Sequence, residues 1–293
     1  MGNPEVYVTS GEFFLRETKI LATHDLVVNA LKEIQVQHKD KPYHSLDHTI
    51  LVMNRAVAFL DIVRSVQPDL VSDRDYDLVL IAGAFHDIIQ DYDVVDGKRV
   101  RKAPHNEYVS AQRAAEAMRS AKTLDGLPAY SKGEIRLVVA SIHDTVPAWD
   151  VENTTVYQPS LNSGSTLISR AIAYADIGTA ALEGPEGIIR DADNLFFEDN
   201  IMLVEQIAKG NISDTEKLTV KGQILGWTYL QQDFIAGRKQ RLNYELFGLP
   251  DDVQSVLREQ YFIHFDESIT AMEMLFEERS MMEFEELIGS MMG

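Results

Sequence analysis

Apolar residues recur at helical spacing along most of the chain. Over residues 12–38, Ile20, Leu21, Val27, Leu31 and Ile34 fall on one face with charged positions between them. A second helix is predicted through Leu46, Ile50, Leu51, Met53, Val57, Leu60 and Val63, with Asp40 and Pro42 at its start. Residues 75–90 predict a third, which is apolar on every side before His86 and therefore belongs in a core. The series continues with an alanine-rich helix over 108–121, an apolar one over 135–143, and one over 166–182 capped by Ser165. Ser213 and Glu216 form a capping box for a helix running towards Gly237, and Asp251-Asp252 start another after Gly248-Leu249-Pro250. Residues 91–102, around Gly97, and 145–163, with Pro147, Trp149 and Pro159, show no period and read as loops. There is no repeat and no strand series. The expected fold is all-α, one domain over 1–293, with a helical core over about 15–185 and a helical C-terminal extension over about 186–293.

Length and composition narrow the chemistry. A chain of 293 residues buries an ample core without staples. It has no cysteine, so any metal must be held by His, Asp and Glu. With 46 acidic against 27 basic residues the formal charge is −19, which repels a nucleic-acid polymer. A small phosphorylated molecule is a compatible partner, because a cation and a local basic cluster reverse the potential inside one cleft. No apolar run approaches the roughly 20 residues of a membrane span, and the chain starts without a secretion signal, so a cytoplasmic protein is expected. The closing stripe of Met272, Met274, Leu275, Phe276, Met281, Met282, Phe284, Leu287 and Ile288 suits a core or a homo-oligomer contact.

Certain polar residues sit where this pattern calls for apolar ones. His86-Asp87 closes an apolar run, and Asp176 is the only acid among Ile172, Ala173, Ala175 and Ile177. Burying an ionised carboxylate is costly unless a partner compensates it. His44 and His48, four apart, would share a helical face, and His143 ends another apolar run. Lys98, Arg99, Arg101 and Lys102 put four cations directly after the His-Asp pair, where they would attract phosphate. His24, His38 and His264 read as packing. Taken singly, a solvated pair or a satisfied helix end accounts for each of the others; taken together, one shared cation accounts for them better.

The ordered set His44, His48, His86-Asp87 and Asp176 resembles the HD-domain superfamily of metal-dependent phosphohydrolases, an all-α family. Tyr43-His44 with His48, Phe85-His86-Asp87, Asn106-Glu107 with Ser110-Ala111, and Ala175-Asp176-Ile177-Gly178 are similar to its small-phosphohydrolase branch. Phe234 to Arg238, with Phe247, is similar to that branch's C-terminal part, and the resemblance covers about 15–250. It implies an HD-like bundle in which His48, His86, Asp87 and Asp176 bind one divalent ion of Mn, Zn, Fe, Ni, Co or Mg. It also implies that His44 acts as general acid. Glu107 and His143 follow as further catalytic candidates, and His105 joins Lys98, Arg99, Arg101 and Lys102 as a substrate contact.

At position 90, where relatives often carry His or Glu, this chain has Gln90, which favours a mononuclear site while leaving a second ion open. The expected activity is hydrolysis of a small phosphate ester, a nucleotide or related metabolite, with monoester and diester both open. The competing readings are a di-iron oxygenase on the same scaffold and a catalytically silent, metal-containing sensor of a ligand.

Overall fold

The computed structural model describes residues 21–210 and 212–292, and the expected helical positions 12–20 lie outside them. The fold is all-α with two small hairpins. Helices α1 (Leu21–Gln37), α2 (Leu46–Val66) and α3 (Asp73–Phe85) are followed by a hairpin of β1 (Tyr92–Val95) and β2 (Lys98–Arg101). Then come α4 (His105–Ser120), α5 (Lys132–His143), a second hairpin of β3 (Ala148–Asp150) and β4 (Thr155–Tyr157), and α6 (Leu167–Ile177). The rest is helical: α7 (Thr179–Leu182), α8 (Gly184–Asp199), α9 (Ile201–Ala208), α10 (Asp214–Glu245), α11 (Asp251–Gln260), α12 (Phe265–Met281) and α13 (Phe284–Met292). Among the described residues no helix is long and apolar enough to cross a membrane.

The apolar stretch is buried as its pattern demands, with every residue from Tyr76 to Phe85 inside. Helix α3 packs on α2 and α6 in the main core, which reaches as far as Leu257 and Met272. A smaller cluster of Phe196, Ile224, Phe284 and Leu287 ties α8, α10 and α13 together. Gly83 lets α2 and α3 approach closely, since a Cβ there would stand 2.8 Å from Met53 Cγ.

Several helix ends differ from the expectation, each for a local reason. Helix α3 stops at Phe85, so His86 caps it and Asp87 lies in the turn beyond rather than within the helix. Residues 40–44 are an irregular turn, because Ser45 caps α2 by accepting from the His48 N–H. His44 and His48 therefore do not share a helical face. Thr166, one residue later than Ser165, caps α6. Helix α10 passes Gly237 and ends at Glu245; its start at the Ser213–Glu216 capping box is as expected.

The two expected loops contain hairpins. Asp96 and Gly97, at φ 51° and 77°, turn β1 into β2 as a two-residue connection with both central residues left-handed, for which Asp-Gly is well suited. Strand alternation then half-buries Arg99 and Arg101 and leaves Lys98 and Val100 outside. His264, expected in the core, is half-buried and pairs with Glu267 at 2.9 Å just ahead of α12.

Candidate metal centre and cleft

Three consecutive accidents of local structure bring the centre together. The start of α2 supplies His48, the turn after α3 supplies His86 and Asp87, and the last turn of α6 supplies Asp176. One ligand atom from each lies within 4.8 Å of all the others. His48 Nε2 stands 3.5 Å from Asp87 Oδ2 and 3.5 Å from Asp176 Oδ1. His86 Nε2 stands 3.1 Å and 3.7 Å from the same two oxygens. Ligand bonds of about 2.0–2.2 Å put neighbouring donors roughly 3–4 Å apart, so these separations suit one ion at the middle.

Hydrogen bonding makes the same point. His48 Nε2, His86 Nε2 and Asp87 Oδ2 are buried and have no hydrogen-bond partner, although buried polar atoms almost always find one. All three face the common centre. Behind them the side chains are held. His86 Nδ1 donates to the Gly83 carbonyl at 2.7 Å, which leaves Nε2 as the free lone pair. Asp87 Oδ1 accepts from Gln90 Nε2 at 2.5 Å and from Arg101 at 2.9 Å. Arg55 donates to the Ala175 carbonyl at 2.9 Å, anchoring the end of α6 beside Asp176.

The charges lean one way. Burial opposes protonation of His48 and His86, yet Asp87 and Asp176 overcome it and raise both imidazoles, His86 well above the ordinary range. Burial would raise the two carboxyls, yet the imidazoles hold both below the usual carboxylate range, with Arg101 also acting on Asp87. The cluster thus favours positive charge at its centre. The donor set of two imidazoles and two carboxylates can hold a divalent cation.

His44 adjoins the centre, its Nε2 4.0 Å from Asp87 Oδ2. Its Nδ1 donates to Glu198 Oε1 at 2.5 Å, and its carbonyl accepts from His38 Nδ1 at 2.7 Å. Glu198 Oε2 also accepts the backbone N–H groups of Tyr43 and His44 at 2.9 and 3.0 Å, and the Tyr92 hydroxyl donates to Oε1. Burial acts to raise Glu198, but His44 first, then Tyr92 and the backbone, outweigh it and hold the carboxyl at about 2. Next to it, burial and the Glu198 charge push Asp199 up to about 6.

The centre opens into a cleft of about 460 Å³, lined at one end by His44, Tyr92, Arg99, Arg101 and Asp176. Helix α8 turns Ile188, Asp191, Ala192, Leu195 and Asp199 towards it at helical spacing.

Comparison with family models, with curated proteins and with solved structures finds no match.

The expected residues are only partly gathered here. His48, His86, Asp87, Asp176 and His44 meet, and Arg99 and Arg101 line the cleft. Glu107 is fully buried behind Arg101, whose guanidinium lies 3.0 Å from Oε1 without hydrogen-bond geometry, and burial raises its pKa. Lys98 is exposed, Lys102 pairs with Asp93 at 3.0 Å, and His105 is exposed at the start of α4. His143 lies in a separate hollow between α4 and α5, edge-on to the Tyr108 ring at 4.7 Å. Sequence reasoning missed Glu198, Tyr92, Arg55 and the role of His38. For Glu198 the sequence carries no local signal, because its role lies in a contact with His44, 154 residues away.

Proposed function

We propose that this chain is a metal-dependent phosphohydrolase of the HD type that cleaves a small phosphate ester. The observation that carries the reading is the convergence of the unpartnered His48 Nε2, His86 Nε2 and Asp87 Oδ2, with Asp176, beside His44 at the end of a cleft. When bound, a divalent cation such as Mn²⁺, Zn²⁺ or Fe²⁺ supplies a Lewis acid that lowers the pKa of water and polarises a phosphoryl oxygen.

The chain's own residues do the rest. Glu198 fixes the Nδ1–H tautomer of His44, so Nε2 faces the reacting end and, when protonated, gives its proton to the departing ester oxygen as the P–O bond breaks. Tyr92 supports Glu198 from the hairpin. Arg101, 2.9 Å from Asp87 Oδ1, balances charge at the phosphate end, and Arg99 enters the same cleft from the same face of β2. A cleft of about 460 Å³ has the size for a nucleotide or a metabolite like it.

A single ion fits best, because Gln90 is committed to Asp87 and to Arg101, whose Nε donates to its Oε1 at 3.0 Å. Gln90, which brings no ionisable ligand for a second ion, weighs against a di-iron oxygenase.

The test is to strip the full chain with chelator, restore Mn²⁺ and assay a panel of phosphate monoesters and diesters alongside Asp176→Asn. Hydrolysis by the restored wild type and none by the variant is expected. A metal-loaded wild type that releases product from no ester contradicts the reading and favours a silent sensor.

A further inference from the structure

The two ends of the cleft differ in chemistry, and the difference restricts the ligand. At the cluster end the cations are already matched. Arg101 lies between Asp87 and Glu107, at 2.9 and 3.0 Å, and Arg99 holds Asp40 at 2.8 Å. Asp176 and Asp199 add negative charge to the same lining, while Asp191 there is paired with Arg190 at 2.8 Å. One phosphate beside a cation is compensated there. The second and third phosphates of a nucleoside polyphosphate would meet no unmatched lysine or arginine among the lining residues.

The far walls are mainly apolar, and the groups on them able to read a base are few: the Gln231 amide and the Trp149 indole N–H. Helix α10 contributes Trp227, Leu230 and Phe234, and the β3–β4 hairpin contributes Trp149 and Val156. The indole N–H of Trp227 is used internally, donating to the Ala192 carbonyl at 2.9 Å, so that ring offers the cleft carbon alone. Gln231 is the single amide on this side.

These walls are also fixed before any ligand arrives. Thr155 donates to the Phe234 carbonyl at 2.8 Å, Arg241 to Asp150 at 2.6 Å, and the Arg241 guanidinium stacks 4.0 Å from the Tyr157 ring centre. Backbone approach is so close that a Cβ on Gly237 would lie 2.1 Å from the Asn153 carbonyl oxygen.

We infer that the ligand is a phosphate monoester whose body is uncharged and apolar, an aryl or alkyl group seated between α10 and the β3–β4 hairpin. This deepens the phosphohydrolase reading and rests on it for the placement of the phosphate. Specificity then comes from contact area and shape, with Trp149 and Leu230 as the residues that set it.

The test uses the full chain loaded with Mn²⁺. Calorimetry compares methylphosphonate, naphthylmethylphosphonate, adenosine monophosphate and adenosine triphosphate, and naphthylmethyl phosphate is assayed against the two nucleotides for turnover. Naphthylmethylphosphonate is expected to bind at least about tenfold tighter than methylphosphonate, the gain that burial of an aromatic body supplies. Trp149→Ala and Leu230→Ala are each expected to shrink that gain. Equal affinity for the methyl and naphthyl ligands overturns the inference, and so does preference for either nucleotide. Hydrolysis that prefers the nucleotides keeps the phosphohydrolase reading while removing this one. An apolar gain in binding with no ester hydrolysed removes the hydrolase reading and supports the ligand class.

Discussion

The Glu198 carboxylate meets the His44 imidazole at 2.5 Å across 154 positions of sequence. The same carboxylate accepts the two backbone N–H groups of Tyr43 and His44, so one buried acid sets both the path of the chain and the orientation of the ring. Glu198→Gln keeps the shape and removes the charge. We predict that it lowers kcat by about 100-fold and shifts the pH profile of kcat, with metal content unchanged. Metal analysis beside the pH–rate profile checks this; a variant with wild-type turnover makes Glu198 a structural residue only.

Arg101 compensates two buried carboxylates, Asp87 and Glu107. Removing it leaves them as close, desolvated like charges. Arg101→Gln is predicted to destabilise the metal-free protein by about 3 kcal/mol, with part of the loss recovered when Mn²⁺ is added. Urea unfolding with and without metal measures both quantities.

The legibility of these features differs for physical reasons. His86, Asp87 and Asp176 show in the sequence because each is an ionisable group placed in or at the end of an apolar run, where only a partner can make it tolerable, whereas His48, beside Asp47, shows only by its spacing from His44 and by the resemblance. The helical fold shows for the same reason that most helices do, through the spacing of apolar residues. Glu198 does not show, since it follows Phe196-Phe197 in a helix with many charges and its meaning lies in a contact 154 residues away. The basic cluster shows in composition, but strand alternation decides that Arg99 and Arg101 turn inwards while Lys98 stays out. Asp96-Gly97 between Val94-Val95 and Lys98 to Arg101 is a hairpin signal that composition alone obscures. For His143, periodicity gives its place at a helix end but not the side it faces, which is towards Tyr108 and away from the centre.

Gly237 lies against the Asn153 carbonyl, where a methyl group cannot fit unless one of the two moves. Gly237→Ala is predicted to displace the β3–β4 hairpin from α10 and to cost about 2 kcal/mol, with the loss read from denaturant unfolding. Binding of any ligand seated on Trp149 should weaken in parallel.

Glu134 offers a pH test remote from the centre. Burial would raise its carboxyl, but Arg74 and the capping contacts with Ser131 hold it at about 2, against an ordinary value of 4.5. Its folded pKa is depressed, so its contribution is complete above pH 4.5 and is lost as the pH falls towards about 2. Solvent screens this surface pair, and Glu134→Gln is predicted to cost about 1 kcal/mol at neutral pH and almost nothing near the acid limit. Stability curves for both proteins across that window check the sign.

Whether His48, His86, Asp87 and Asp176 form one cation site is read by calorimetric titration of the chelator-stripped chain with Mn²⁺. The same titration is run on His48→Gln and Asp176→Asn, with circular dichroism confirming that both are folded. One ion per wild-type chain and no measurable binding by either folded variant are expected. A stripped wild type that takes up no divalent ion, or variants that bind as the wild type does, would contradict a shared cation site.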